Sequence, residues 1–194
     1  MPAGHSAAPL PQSVVELDSI RHALAGTLRE IKILKHQQAT EQAFLENAGQ
    51  YEIIHLSTHG KSQMDTSMLS EILFFPTQRP PYGVGPDGHL YAAELKLQQW
   101  GTKLLVLSAC ETGAGKIMPG EGMLALNRAF MAAGIKNQLF TLWQIPDAHQ
   151  LITDFYKGAA AGLTFSRALQ QAKIQSIVQG QHALYWAPFL LFAY

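Results

Sequence analysis

Residues 28–56 read LREIKILKHQQATEQAFLENAGQYEIIHL, and the fold turns on how they divide. Ile31 and Ile33 alternate with polar neighbours within Leu28–Leu34, which predicts a strand. Thr40 stands where its hydroxyl can accept from a free N–H of the first helical turn, so a helix follows through Phe44 and Leu45 to Gly49. Tyr51–Leu56 reads as a second strand. Strand, helix and strand within about 30 residues make a βαβ unit, in which the strands are parallel and the crossover right-handed. The expected fold class is α/β.

Upstream, Ser13 and Glu16 have the spacing of a capping box, and Val14, Leu17, Ile20 and Leu24 then recur at helical spacing up to Gly26. Residues 1–12, with Pro2, Pro9 and Pro11, read as a tail or linker stub, which leaves 13–194 as one domain. Downstream, residues 57–90 set the apolar run Ile72–Phe75 among Pro76, Pro80, Pro81, Gly83, Gly85, Pro86 and Gly88, a strand or hairpin carried in a long surface loop. Loops of that length commonly serve as lids or specificity loops. A short helix over 92–99 and a buried strand over Lys103–Leu107 come next. They are followed by a helix over Gly122–Ala133 that stops at Gly134, and by a strand over Gln138–Trp143. Helices over 147–161 and 164–179 precede a last strand within Trp186–Phe192.

Composition narrows the function. Hydrophobic residues make up 47% of the 194 and charged residues 14%, a balance that builds a packed core and excludes a disordered chain. Lys plus Arg and Asp plus Glu number 14 each, so the chain carries no net charge with which to hold nucleic acid or an anionic membrane. The opening MPAGHSAAPLPQS has neither the charged start nor the apolar run of a signal peptide, and no apolar stretch reaches the ~20 residues that span a bilayer. Cys110 is the single cysteine, which rules out an internal disulfide and a cysteine-based zinc cluster. A cytoplasmic, reducing location is expected.

Two strands run into reactive groups. His59-Gly60 follows the strand in YEIIHLSTHG, and Cys110 ends KLLVLSAC, 51 residues after His59. In an open parallel sheet the carboxyl ends of the strands share one rim, where ligands bind. An imidazole and a thiol on that rim suit acyl transfer: the base takes the thiol proton, and the imidazolium then protonates the leaving amine. The separation also agrees with the caspase pattern, in which the His lies about 50 residues upstream of the Cys. The bland reading of the same spacing is a buried, inert thiol and an unrelated histidine.

The segments ATEQAFLENA, YEIIHLSTHG, LLVLSACETGAGK, GEGMLALNRAFMAAGIKNQLFTLWQIPDAH, FSRALQQAK and YWAPFLLFAY, in this order, resemble the CHAT domain family. These are caspase-like domains often fused to tetratricopeptide repeats. The resemblance implies a caspase-like three-layer α/β/α sandwich with a mostly parallel central sheet, and a Cys-His dyad needing neither metal nor cofactor. Carried over by residue, it makes Cys110 the nucleophile, His59 the general acid/base, and the backbone N–H groups of Cys110 and Gly60 the oxyanion hole. It implies a cysteine endopeptidase acting on a protein or peptide substrate in regulated proteolysis, with a repeat-containing sensor as partner or fused domain. Only about 50 residues precede the Tyr51 strand, so an N-terminal strand of the complete domain is expected to be missing. The alternative is a catalytically silent domain of the same fold that serves as an interaction module.

Around the dyad several readings stay open. The resemblance puts the loop Trp143–Asp147 beside the pocket for the residue before the scissile bond, where Asp147 would pair with an Arg or Lys of the substrate and Trp143 would line the pocket. Asp147 equally fits a helix N-cap, and Trp143 a rim residue. Glu111 either orders the loop beside the nucleophile or is a solvated carboxylate. Gly113-Ala-Gly115-Lys116 fails as a phosphate loop, because Cys110 and Ile117 stand where Gly and Ser or Thr are needed. His55 and His59 lie ~13 Å apart if both are on a strand, too far to share a metal, and His55 reads as a core residue.

Overall fold

The structure is a computed structural model and describes residues 11–27, 30–61, 67–77, 85–108, 121–143, 145 and 149–193. Its elements run, in chain order, α1 (Pro11–Ala23), α2 (Glu41–Ala48), β1 (Ile53–Leu56), β2 (Gly60–Lys61), β3 (Glu71–Leu73), β4 (His89–Tyr91), α3 (Ala92–Leu95) and β5 (Leu104–Leu107). They continue with α4 (Glu121–Ala132), β6 (Asn137–Thr141), α5 (His149–Ala160), α6 (Phe165–Val178), α7 (Ala183–Trp186) and β7 (Phe189–Phe192).

The central sheet has the order β1-β5-β6-β7, in which β1, β5 and β6 are parallel and β7 is antiparallel. Alternation along the strands divides the core in two. Ile54, Leu56, Leu105, Leu107 and Phe140 pack against α2, α3 and α4, through Phe44, Leu95, Leu126 and Phe130. Leu104, Val106 and Leu139 pack against α1, α5 and α6, through Ile20, Leu151, Phe155 and Leu169. With helices on both faces, β5 has no polar side to show, which is why all four of its residues are apolar and buried. The result is the three-layer α/β/α arrangement with a mostly parallel sheet. The 57–90 region forms, among its described residues, a separate antiparallel sheet of order β2-β3-β4.

Several boundaries differ from the sequence reading. Helix α1 is described from Pro11, so Ser13 lies inside the helix rather than at its cap position. Of the expected strand Leu28–Leu34, the described part Glu30–Leu34 joins no ladder, so the βαβ unit is not closed. The alternation of Ile31 and Ile33 supplies strand character but not a neighbour, and Ile31 stays 39% exposed. The short helix ends at Leu95 rather than 99, and Trp186 closes α7 instead of opening the last strand. Thr40 caps α2 as read, its Oγ1 accepting from the Ala43 N–H at 3.1 Å.

Candidate active site

The parallel register aligns Leu56 of β1 with Leu107 of β5, and Leu107 with Phe140 of β6. His59, Cys110 and Trp143 each follow their member of that row by three residues. The alignment persists one step past the strands, where the Ser108 N–H donates to the Leu56 carbonyl at 2.9 Å. Cys110, Glu111 and Asp147 themselves lie outside the described residues, whereas His59, Gly60 and Trp143 are placed.

His59 is buried, at 6% exposure. Its carbonyl accepts from the Leu73 N–H at 2.8 Å, and the Thr58 hydroxyl donates to the Leu73 carbonyl, so the turn after β1 is fastened to β3 from both sides. The Leu73–His59 bond makes Gly60 and its partner Ile72 a non-hydrogen-bonded pair. The Gly60 N–H therefore points away from β3. Trp143 is 41% exposed, and its Nε1–H donates to the Leu184 carbonyl at 3.1 Å, which sets its ring on the rim beside α7.

The small sheet is itself held by buried carboxylates. Glu41, at the start of α2, accepts from the N–H groups of Asp87 and Gly88 at 2.9 Å each. Glu71 on β3 meets His89 Nδ1 at 2.8 Å and Lys61 Nζ at 3.5 Å. At the next turn Glu94 accepts from the Tyr91 N–H at 2.8 Å, and its carboxyl is raised above the usual range by burial, opposed by that hydrogen bond.

A polar cluster that the sequence reading did not assemble lies on the other face. His55 Nε2 meets Glu16 Oε1 at 2.6 Å, and His55 Nδ1 lies 3.0 Å from the Tyr156 hydroxyl. The Ser108 hydroxyl donates to Glu16 Oε2 at 3.0 Å. Burial, then the nearby Glu16 carboxylate, pushes the Tyr156 phenol well above its ordinary value. His55 is thus a hydrogen-bonded core residue, on the opposite side of β1 from Ile54 and Leu56. Among the described residues no group of three or more His, Cys, Asp or Glu could hold a metal ion, and no helix is long and apolar enough to cross a membrane.

The rim, the three layers and the two marked strand ends coincide with a family match that runs from residue 2 to residue 194, to the model described as the CHAT domain. The chain belongs to the CHAT domain family. This CHAT domain is also similar to two curated proteins, tetratricopeptide repeat protein 28 of Mus musculus and of Homo sapiens, at 36% and 37% identity over 106 residues. Each match covers 53% of this chain and 4% of the relative, so the chain spans a small part of the length of those proteins. The family is caspase-like, and the likeness to a repeat protein fits the association of CHAT domains with tetratricopeptide repeats.

Proposed function

We propose that this CHAT domain is a cysteine endopeptidase that cuts a protein partner in regulated proteolysis. The observation that carries the reading is the register row Leu56–Leu107–Phe140 on adjacent parallel strands, which His59 and Cys110 each follow by three residues in the sequence. His59 takes the Cys110 thiol proton, and the thiolate sulfur attacks the scissile carbonyl carbon. The N–H groups of Gly60 and Cys110 then hold the oxyanion, a donor role typically worth about 3 to 4 kcal/mol each. As the C–N bond breaks, the imidazolium returns its proton to the leaving amine. Water, deprotonated by His59, hydrolyses the thioester and frees the thiol. No metal or cofactor enters this scheme.

For selectivity, Asp147 and Trp143 form the pocket for a basic residue before the scissile bond, and Glu111 orders the loop beside the nucleophile. An acidic group in a partly desolvated pocket selects a cation strongly. A peptidyl electrophile with Arg or Lys at its reactive end tests the scheme: it should add one equivalent to the wild type and none to Cys110→Ala. Absence of labelling in a folded wild type would favour the second reading, a silent interaction module. That reading has its own support in the apolar stripe Ile174, Ile177 and Val178 on α6, exposed by 51%, 50% and 79%.

The domain reading includes one more strand than the described residues supply. Among the described residues β1 is an edge of the main sheet, yet Ile53–Leu56 carries none of the Pro, Lys or bulge features that blunt an edge. Side chains tie Glu30–Leu34 and its neighbour Lys35 to the domain: the Tyr51 hydroxyl donates to Glu30 at 2.8 Å, Lys32 donates to Asn47 at 2.6 Å and Lys35 meets Asp18 at 2.8 Å. Among the described residues no backbone bond joins that segment to the sheet, and a further strand would pair with β1 on its open side.

A further inference from the structure

We propose that Glu16 is a positioning residue, a carboxylate on α1 that clamps the two strands leading to the dyad and sets the approach of Cys110 to His59. The inference rests on the dyad reading above. Both oxygens of Glu16 are used, and they go to different strands: Oε1 to His55 on β1 at 2.6 Å, Oε2 to Ser108 at the end of β5 at 3.0 Å. His55 precedes His59 by four residues and Ser108 precedes Cys110 by two, so one side chain spans both lead-ins.

The clamp is buried. Glu16 is 6% exposed, and the side chain of His55 is 10% exposed. α5 closes the cluster through Tyr156, itself 3% exposed, whose hydroxyl fixes the other ring nitrogen of His55 at 3.0 Å. Hydrogen bonds to a charged group in such surroundings are short and directional, so the pair of strands cannot shear without breaking one. A carboxylate buried only to dock a helix would be replaceable by an apolar residue with little loss. Here its second oxygen instead reaches past the helix–strand contact to the segment that carries the nucleophile.

The test uses the fact that Cys110 is the only cysteine, so that iodoacetamide reads its reactivity alone. Alkylation rates between about pH 5 and about pH 9 would be compared for the wild type, His59→Ala, Ser108→Ala, Ser108→Thr and Glu16→Gln, with circular dichroism to verify folding. The wild type should react in the lower half of the range through a thiolate supported by His59, and His59→Ala should revert to the profile of an ordinary thiol. Ser108→Ala should lose the low-pH reactivity by about tenfold or more, as expected of a small misplacement of reacting groups. Ser108→Thr, which keeps the hydroxyl, should restore it. A folded Ser108→Ala with the wild-type profile, while His59→Ala loses it, would overturn the clamp and leave the dyad standing. A wild-type profile unchanged by His59→Ala would overturn the dyad and the clamp with it. The serine pair decides the matter even if Glu16→Gln fails to fold.

Discussion

The backbone of Leu73 holds the backbone of His59: the N–H of the first donates to the carbonyl of the second at 2.8 Å, joining the small sheet to the rim of the large one. The Thr58 hydroxyl completes the link by donating to the Leu73 carbonyl. Thr58→Val keeps the shape of the side chain and removes that donor, leaving a carbonyl short of a partner. The expected cost is about 1 kcal/mol, read as a fall in Tm of about 2 to 4 °C. An unchanged Tm would mean that this bond does not help to hold the turn.

Gly134 ends α4 with a φ of 101°, a conformation that residues with a side chain rarely adopt. A Cβ there would lie 2.5 Å from the Trp100 carbonyl oxygen, a backbone atom that cannot swing aside. The same Trp100 packs edge-on against Phe44 in the core under β1. Gly134→Ala should therefore destabilise by about 2 kcal/mol or more, measured from the denaturant midpoint. Gly162 has a similar φ of 88° but open space around it, so Gly162→Ala should cost less.

Burial lowers the pKa of Lys173 on α6, and among the described residues no carboxylate pairs with it. A lysine whose folded pKa is depressed is charged at a cost in the native state. That cost is present in full below the folded pKa and is relieved as pH rises through it towards the ordinary value of 10.5. Lys173→Met should accordingly be more stable than the wild type at neutral pH, by a small margin because the group is partly solvated. The margin should shrink on the alkaline side. Parallel stability curves for the two proteins up to the ordinary lysine range would contradict the assignment.

The edge that β1 presents among the described residues makes a prediction for hydrogen exchange. In the isolated chain the amides of Ile31 and Ile33 should exchange close to coil rates, while those of Leu105 and Val106 at the sheet centre should be among the slowest. In the protein as isolated from its source, a strand paired at this edge would slow exchange along β1 and in residues 30–34. Equal exchange in both preparations would count against a further strand.

Much of this organisation was legible in the residues because each signal was local. KLLVL could hardly be other than a strand buried on both faces, Thr40 followed by Ala43 set a cap, and HLSTHG and SAC marked the ends of two parallel strands. Signals that depended on a distant partner were misread or missed. Ile31 and Ile33 alternate as in a strand, but a strand exists only when a neighbour accepts its hydrogen bonds. Glu16 looked like half of a capping box because Ser13 is near in sequence, whereas its partner His55 is 39 residues away and meets it only once α1 docks on the sheet. Asp147 illustrates a third case: helix cap and pocket carboxylate ask for the same residue, and sequence alone leaves both open.

Whether Cys110 and His59 cut peptide bonds is decided by incubating the wild type and Cys110→Ala with a proteome-derived peptide library and identifying the new termini by mass spectrometry. Termini should be produced by the wild type only, with Arg or Lys before the cut, and Asp147→Asn should lose that preference. New termini from both proteins, or from neither when both are folded, would contradict cleavage by Cys110 and His59.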